Sequence, residues 1–385
     1  MQAATQLLEL YRLGLEAVRG DHAVYQALMA AGTQAACHVL AIGQAAEAMY
    51  QGVERYLDKD IKTALLISPY GHFSPELLAN RQLTVLEAAY PIPAESSLIA
   101  GQALLQYLAQ LPANEPLLLL VSGGASSLCE VLEDSWSLDK LQTAIQIKRA
   151  EGASVVEMNA LYQQASRIKG GKLWPFISKR PVSCLLISDV VDDDPAIIGS
   201  GFLFPAPPNQ AFTWQIVANS QQMLAAIQAS RLESSNSAEP ALPIHIMPEF
   251  LNLESVETAK NCVTFLKKQP AGIYVWSGTS TVNRAIPSGR EGGNQHFALA
   301  AALALAHNPE ITLLSVATSG IDGGTEDAGA LVDGQTLVRG QLENLDPVAC
   351  LQRADAGTFL AASGDLITTG PTGTNVMDLV IALKT

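Results

Sequence analysis

The stretch GDLITTGPTGTNVMDL at residues 364–379 places a predicted strand, a glycine-rich turn and a predicted helix start close together. Residues 366–369 suit a short buried strand, and the Gly-Pro-Thr-Gly segment at 370–373 predicts a tight reversal. The Thr-Asn pair at 374–375 suits the cap of a helix that starts near Val376. Such a turn directs backbone N–H groups at one point, where an anion can bind. The alternative is a connecting turn that binds nothing.

Short apolar runs alternate with longer helical patterns along the chain, which predicts an α/β fold whose parallel sheets are covered by helices. The candidate strands are residues 38–42, 64–68, 116–121, 182–188, 214–217, 272–276, 311–317 and 366–369. Because the chain has 385 residues, we expect two domains. The polar segment LESSNSAEPALP at residues 232–243 is interpreted as a surface insertion near their boundary.

The composition describes a folded protein, since 48% of residues are hydrophobic and 16% are charged. A formal net charge of −14 argues against nucleic acid as a partner. The charge does not exclude small anionic ligands, because local backbone dipoles can oppose the overall field.

The cysteines predict a reducing compartment. All 5 lie far apart, without the CxxC spacing of a zinc or redox site. The N-terminus lacks the pattern of a signal peptide, and the apolar helical run at residues 297–306 is too short to span a bilayer. The sequence therefore predicts a cytoplasmic protein with no membrane partner.

Two turns after predicted strands are candidates for phosphate binding. AIGQAAEAM at residues 41–49 has one glycine before an alanine-rich helix, and VSGGASSL at residues 121–128 has two. A nucleophilic serine is a competing interpretation of the second turn, although the GxSxG spacing is absent.

Two further turns carry charge. In SRIKGGKL, residues 166–173, Lys169 can place an ammonium beside an anion or simply solvate a loop. In ISDVVDDDP, residues 187–195, several carboxylates follow a strand and suit Mg²⁺. Alternatively, Asp194 or a neighbour caps a helix that begins at Pro195.

The last two turns lie in the second half of the chain. TSGIDGG, residues 318–324, holds Asp322 between glycines, and GREGGNQHF, residues 289–297, precedes an apolar helix. Asn294 and Gln295 contact a ligand or cap that helix, and His296 is interpreted as structural. Neither GxxxxGK[ST] nor GxGxxG occurs. Together the turns indicate a site for a phosphorylated ligand with a divalent cation.

Eight segments in the same order resemble the MOFRL-type glycerate 2-kinases, a family also labelled hydroxypyruvate reductase. They are AIGQAAEAM, EAAYPIPAE, VSGGASSL, MNALYQQASRIKGGKL, LISDVVDDDPAIIGSG, GREGGNQHFALA, TSGIDGGTEDAGA and TGPTGTNVMDL. The resemblance implies an N-terminal Rossmann-like α/β domain at residues 1–240 and a C-terminal MOFRL-type α/β domain at residues 241–385, with the active site in an interdomain cleft. It also implies transfer of the ATP γ-phosphoryl group to the 2-hydroxyl of D-glycerate with Mg²⁺.

The chain departs from the family pattern at several charged positions. Gln44 stands where the family's GKAA turn carries lysine, and Gly293 where its GGRNQ turn carries arginine, so each change removes a cation. Further departures are Tyr90, Ala94, Tyr162, Phe202, Thr279 and Ser319. Because phosphoryl transfer depends on positioning and charge neutralisation, these changes bear on activity.

The sequence and the resemblance together nominate the site residues. The predicted catalytic residues are Lys169, Asp189 and Arg290, and the predicted metal ligands are Asp189, Asp193 and Asp194. The predicted residues for nucleotide, phosphate or substrate are Gly43, Gln44, Ser122, Gly123, Gly124, Ser126, Asn294, Asp322, Gly370, Thr372, Gly373 and Asn375.

Three functions follow from this assignment. The first is an ATP-dependent D-glycerate 2-kinase whose cations come from other positions, such as Lys169, Lys172, Arg284 or Arg290. The second is a catalytically weak or inactive paralogue that binds a small anionic ligand, and the third is a hydroxypyruvate reductase. The expected partners are a small hydroxy acid and a nucleotide, with a homodimer as the base-rate assembly.

Overall fold

The computed structural model describes residues 2–32, 35–177, 179–208, 210–230, 242–248, 251, 255–279, 290 and 292–385. Contacts divide the chain into two compact units. The parallel-sheet unit comprises Val18–Asn219 and Gly373–Val376, and the mixed-sheet unit comprises Met1–Ala17, Ser220–Thr372 and Met377–Thr385. The boundary predicted at residue 240 lies outside the described residues and stays a prediction. The surface insertion interpreted at residues 232–243 also stays a prediction, because residues 232–241 lie outside the described part of the chain.

The elements are numbered in chain order. The helices are α1 (Gln2–Ala17), α2 (Gly20–Ala31), α3 (Ala46–Leu57), α4 (Pro75–Leu78), α5 (Glu95–Gln110), α6 (Ala125–Leu128), α7 (Leu138–Ala150), α8 (Val155–Ala165), α9 (Ser220–Ala229), α10 (Ser255–Leu266), α11 (Gly293–Leu305), α12 (Thr336–Leu342), α13 (Pro347–Gln352) and α14 (Ala356–Ser363). The strands are β1 (Cys37–Ile42), β2 (Ile61–Pro69), β3 (Thr84–Ala88), β4 (Leu117–Val121), β5 (Val182–Ile187), β6 (Phe212–Ala218), β7 (Ile244–Ile246), β8 (Gly272–Gly278), β9 (Ile311–Ala317), β10 (Gly329–Val332), β11 (Leu366–Ile367) and β12 (Asp378–Lys384).

The parallel-sheet unit contains a six-stranded sheet in the order β3-β2-β1-β4-β5-β6, and every neighbouring pair is parallel. Strands β1 and β4 are buried along their whole length, as continuous apolar runs in a parallel sheet require. Ile42 pairs with Val121, and Val121 pairs with Leu186. The turns that follow β1, β4 and β5 therefore start side by side at one edge of the sheet.

The mixed-sheet unit has the order β11-β10-β9-β12-β8-β7, in which β7 and β8 pair in parallel and the other neighbouring pairs are antiparallel. The α/β class is confirmed, but parallel pairing was the wrong expectation for this second sheet. The helix predicted from Val376 is also wrong, because β12 fills the centre of the sheet. The middle residues of β12 are buried on both faces and include β-branched Val380 and Ile381. Pairing with two neighbours satisfies its backbone groups at once.

Other elements agree with the sequence. All eight candidate strands are confirmed within a few residues. The strands that the sequence analysis missed are β3, β7, β10 and β12. The five cysteines are free and buried. Among the described residues, no helix combines the length and the apolar character needed to cross a membrane.

Candidate functional site

The turn after β1 is built by close backbone packing at the edge of the parallel sheet. Gly43 has a φ of 134°, and a Cβ at this position would overlap Ser122 Oγ. Ser122 Oγ in turn accepts a hydrogen bond from the backbone N–H of Ala45 at 3.0 Å. Gln44 N–H donates to the carbonyl of Gly123 at 2.9 Å. The predicted binding residues Gly43 and Ser122 thus hold the two turns together.

A cluster of three polar side chains lies over this pair of turns, within the parallel-sheet unit. Asn375 Nδ2 donates to Gln44 Oε1 at 2.7 Å and to Asp189 Oδ2 at 3.3 Å. A Cβ on Gly123 would overlap both Asn375 Nδ2 and Asp189 Oδ2. Glycine is therefore required at position 123 for the two side chains to meet above the backbone. The sequence named all four residues, and the structure brings them together.

Asp189 is the carboxylate of this cluster and lies two residues after the end of β5. Removal from water raises the pKa of Asp189 from 3.8 to about 6, because the charged form loses hydration, and a hydrogen bond to its own backbone N–H opposes the change. A carboxylate with a pKa in this range can accept a proton near neutral pH. The arrangement suits a base that faces a hydroxyl group.

Tyr90 lies at the same place although the sequence analysis did not select it as a binding residue. A Cβ on Gly124, whose φ is 85°, would lie 3.2 Å from both the Tyr90 ring and the Gln44 side chain. Tyr90 is 36% exposed, so its ring forms part of the surface beside Gln44. Its position as a departure from the family pattern was the signal that could have identified it.

Ser126 belongs to a separate hydroxyl network. Its Oγ lies 2.7 Å from Ser200 Oγ, and Ser200 Oγ donates to Asn159 Oδ1 at 2.6 Å. Since Ser200 uses its proton on Asn159, Ser126 is the donor to Ser200. The hydroxyl of Ser126 therefore joins α6 to the segment around Ser200.

The three predicted metal ligands do not form a metal cage. Asp193 Oδ2 accepts from Asn219 Nδ2 at 2.6 Å, and Asp194 Oδ1 accepts from the backbone N–H of Ala196 at 2.9 Å. The second contact closes a local turn, but among the described residues no helix begins at Pro195, and the next helical element is the short 3₁₀ stretch Ile198–Ser200, so the helix-capping alternative for Asp194 is wrong. Among the described residues, no group of three or more His, Cys, Asp or Glu side chains is arranged to hold a metal ion. The residues present thus do not fit a metal ion bound by Asp189, Asp193 and Asp194 together.

The predicted catalytic Lys169 is fully buried rather than presented to a ligand. Its Nζ forms an ion pair with Glu130 Oε2, and both side chains are 0% exposed. The same ammonium lies 5.0 Å from the centre of the Tyr162 ring. Glu130 also accepts from the backbone N–H of Val131 at 2.8 Å. Glu130, which the sequence analysis did not select, is thus the partner of Lys169 in the interior.

The mixed-sheet unit holds Asp322 and Asn294 in a second cluster. Asp322 Oδ1 accepts from the backbone N–H of Asn294 at 3.0 Å, and Oδ2 accepts from that of Gln295 at 2.8 Å. These are orphan donors at the start of α11, so the carboxylate caps the helix. Burial raises the pKa of Asp322 to about 6, against the lowering effect of these bonds. Both carboxylate oxygens are engaged within the protein.

Arg290, the other predicted cation, is also paired. Its guanidinium forms an ion pair with Asp327 Oδ2, and Thr368 Oγ1 donates to Asp327 Oδ1 at 2.8 Å. The Arg290 side chain remains 44% exposed. Lys172 pairs with Glu133 at 3.1 Å. Arg284 lies outside the described residues.

The glycine-rich turn at residues 370–373 is divided between the two units. Gly370 and Thr372 belong to the mixed-sheet unit, where Thr372 Oγ1 donates to the carbonyl of Thr318. Gly373 belongs to the parallel-sheet unit, where its carbonyl accepts from Gly20 N–H at 2.9 Å. Of the residues predicted from this turn, Asn375 is the one that the structure places beside Asp189.

Comparisons with known proteins cover nearly the whole chain. Residues 6–231 match a domain of unknown function, DUF4147, and residues 272–378 match the MOFRL family. A D-glycerate 2-kinase of Thermotoga maritima is 30% identical over 98% of this chain and 97% of the relative. A glycerate 2-kinase of Pyrococcus horikoshii is 29% identical over 90% of this chain and 87% of the relative.

A solved structure agrees with these relatives. The crystal structure of a glycerate kinase from Thermotoga maritima matches with a TM-score of 0.78 and 27% identity, covering 98% of each chain. A relative from Agrobacterium vitis, 31% identical over 89% of this chain and 86% of its own length, carries a hydroxypyruvate reductase name. Proteins similar to this chain therefore carry the names of two different activities.

Proposed function

We propose, from the membership of this chain in the MOFRL-type glycerate 2-kinase family, that it transfers the γ-phosphoryl group of ATP to the 2-hydroxyl of D-glycerate. The observation that carries the proposal is the match to a D-glycerate 2-kinase at 30% identity over 98% of the chain. The cluster of Gln44, Asp189 and Asn375 supports it, since these side chains meet beside the turns after β1 and β4.

In the proposed reaction the 2-hydroxyl oxygen forms a bond to the γ-phosphorus of ATP. The bond between that phosphorus and the bridging oxygen of ADP breaks, and the hydroxyl proton passes to Asp189. The raised pKa of Asp189, about 6, supports this role, because the carboxylate can hold the proton near neutral pH. Mg²⁺ enters as part of the substrate MgATP, and we assign no step to a metal ion held by the three aspartates.

The remaining residues bind and orient. Gly43, Gly123 and Gly124 keep the backbone close to the reacting groups, and Gln44 and Asn375 supply neutral amides. Phosphoryl transfer gains most from positioning and from stabilising charge on the transferred group. We therefore expect the turns after β1 and β4 to line the substrate site. Lys169 and Arg290 have a structural role in this proposal, through their ion pairs with Glu130 and Asp327.

The test is formation of 2-phosphoglycerate by purified protein with D-glycerate, ATP and Mg²⁺, followed by ³¹P NMR. We expect the product in the wild type and its loss in Asp189→Asn. Asp192→Asn is the matched control, because Asp192 is exposed and lies outside the cluster. Absence of product at high enzyme concentration would overturn the kinase assignment.

A second function, a weak or inactive paralogue that binds a small anion, is favoured by the pairing of the cations. Lys169, Lys172 and Arg290 each form an ion pair with a carboxylate. This alternative predicts that Gln44→Lys combined with Gly293→Arg raises a measurable kinase rate. An unchanged rate in the double variant would count against it.

The third function, hydroxypyruvate reductase, rests on the name of some relatives. It predicts oxidation of NADH or NADPH in the presence of hydroxypyruvate, read at 340 nm. No oxidation with either cofactor would remove it. The cytoplasmic location and the homodimer expected from the sequence stay predictions.

A further inference from the structure

The Asn375 side chain has a fixed orientation because of its two acceptors. An ionised carboxylate accepts hydrogen bonds and cannot donate them, so the atom of Asn375 beside Asp189 Oδ2 is the amide nitrogen. The same nitrogen lies 2.7 Å from the side chain of Gln44. Gln44 must therefore present its oxygen, Oε1, to Asn375.

That constraint decides the direction of the Gln44 amide. Gln44 is only 5% exposed, yet its Nε2 has no hydrogen-bond partner in the part of the chain that the structure describes. The Nε2 atom is not fully buried either, so it keeps contact with solvent. The NH₂ group is thus the part of this mostly buried glutamine that meets solvent, on a side chain whose Cγ and the Tyr90 ring both lie beside Gly124.

The cluster consequently offers a donor and an acceptor to either side of the Asn375 Nδ2 group. The donor is Gln44 Nε2, and the acceptor is the Asp189 carboxylate. A hydroxyl group matches both, because its oxygen can accept from Gln44 while its proton is donated to Asp189. A ketone oxygen accepts only, so it could not donate to Asp189 and would bring two acceptors together. Leaving a partly buried polar group unsatisfied is costly.

We propose that Gln44 and Asp189, held in place by Asn375, form a hydroxyl-selective subsite for the 2-hydroxyl of a 2-hydroxy acid and reject the corresponding 2-keto acid. The inference rests on the proposed kinase function, which makes the 2-hydroxyl the reacting group. Gln44 and Asp189 contact the substrate, and Asn375 is a positioning residue. A lysine at position 44 would offer donors but no acceptor to Asn375, so this device depends on glutamine.

The first experiment uses the wild-type protein and four ligands in isothermal titration calorimetry without nucleotide. D-glycerate and D-lactate carry the 2-hydroxyl, 3-hydroxypropionate lacks it, and hydroxypyruvate replaces it with a ketone. We expect the first two to bind at least about tenfold more tightly than the other two, the range for a hydrogen bond to a charged group. Equal affinity for D-glycerate and hydroxypyruvate, or no detectable binding of D-glycerate, would overturn the inference.

The second experiment separates the donor from its anchor. Gln44→Glu retains an oxygen for Asn375 but removes the outward NH₂ group, so we expect the preference for D-glycerate over hydroxypyruvate to fall to within about twofold. Gln51→Glu is the matched control, because it adds the same charge at an exposed position on α3, the helix that follows the turn of Gln44. Asn375→Ala is expected to reduce the preference for D-glycerate partly. Its fold-change in the KM for D-glycerate should exceed its fold-change in the folding equilibrium constant. An unchanged preference in Gln44→Glu would contradict the proposal.

The two hypotheses fail in different ways. If the protein selects hydroxy acids over keto acids but forms no 2-phosphoglycerate, the kinase function fails and the subsite stands. If it forms 2-phosphoglycerate but binds both classes equally, the subsite fails and the kinase function stands. The comparison of ligands on the wild type remains decisive even where a variant does not fold.

Discussion

Asn375 donates a hydrogen bond to Gln44 at 2.7 Å although 331 positions separate the two residues in the sequence. The short segment Gly373–Val376 belongs to the parallel-sheet unit, while the chain on either side of it belongs to the mixed-sheet unit. The polar cluster beside Asp189 is therefore completed by a segment from near the end of the chain. Its geometry depends on how closely Asn375 can approach the turn at Gly123.

Gly123→Ala should disable this cluster. The added Cβ would overlap Asn375 Nδ2 and Asp189 Oδ2, so at least one of these side chains must move. We expect a loss of affinity for D-glycerate of about tenfold or more and a decrease of about 1–3 kcal/mol in the free energy of unfolding. Titration calorimetry and urea denaturation measure the two effects. Gly324→Ala is the control, because a Cβ there meets no atom within 4 Å. Equal behaviour of the two variants would contradict the packing argument.

Lys169→Met should be strongly destabilising. It leaves Glu130 buried without its partner, and such a change costs about 3–5 kcal/mol in the free energy of unfolding. Adding Glu130→Gln removes the uncompensated charge, so we expect the double variant to recover a large part of the loss. The control is Lys148→Met, whose partner Glu151 is 57% exposed and whose effect should be below about 1 kcal/mol. Chemical denaturation measures the free energy of unfolding of each variant. A Lys169→Met effect as small as that of the control would refute a buried ion pair.

Asp322 should make the stability of the protein depend on pH between about 4 and 6. Burial raises its pKa in the folded protein from 3.8 to about 6, so the folded state binds the proton more tightly than the unfolded state. This contribution to stability is fully present below pH 4 and is lost as the pH rises through 6. Unfolding free energies of the wild type and Asp322→Ala, measured from pH 4 to 7, should thus diverge most at pH 4. If the difference in unfolding free energy between the two proteins grows toward pH 7, the direction assigned to the Asp322 pKa shift is wrong.

The capping role of Asp322 gives a separate expectation. At pH 7, Asp322→Ala leaves the backbone N–H groups of Asn294 and Gln295 without their acceptor. Loss of a helix cap costs about 0.5–2 kcal/mol in the free energy of unfolding. The exposed Glu326→Ala serves as a control, with a change within about 0.5 kcal/mol. Faster amide hydrogen exchange at the start of α11 in Asp322→Ala alone would locate the effect.

Ile381→Ala should reveal the central position of β12. Ile381 is 0% exposed and pairs with Val275 on one side and Leu314 on the other. We expect a cost of about 2–5 kcal/mol for alanine and about 0.5–1.5 kcal/mol for valine, which keeps most of the volume. Thermal and urea denaturation measure both. If alanine and valine cost the same, Ile381 does not fill a core position.

Much of the fold could be predicted from the sequence, and the exceptions have physical reasons. The runs before Gly43, Ser122 and Asp189 are mostly apolar, as expected for strands of a covered parallel sheet, and each was identified. The residues after Val376 were misread because a helix start and the end of a turn share the same capping residues. Only the tertiary structure shows that Asp378–Lys384 pairs with β8 and β9.

The partners of the charged residues could not be predicted from the sequence. Lys169 beside two glycines suggested a cation for a ligand, but its partner Glu130 lies 39 positions away. Arg290 is similarly separated by 37 positions from Asp327. No local pattern connects such residues, since the approach of two distant segments determines whether a charge faces solvent, a ligand or an opposite charge.

The sequence by itself determined the α/β class, the positions of the glycine-rich turns and the set of polar residues that follow the strands. These properties depend on local chemistry: apolar runs form buried strands, glycines permit close backbone approach, and carboxylates or amides follow where strands end. Only the tertiary structure decided that Asn375 holds Gln44 and Asp189, that Lys169 is enclosed with Glu130, and that Asp322 caps α11. The physical reason is that a polar side chain acquires its role from the partner that replaces its hydration, and folding selects that partner from anywhere in the chain.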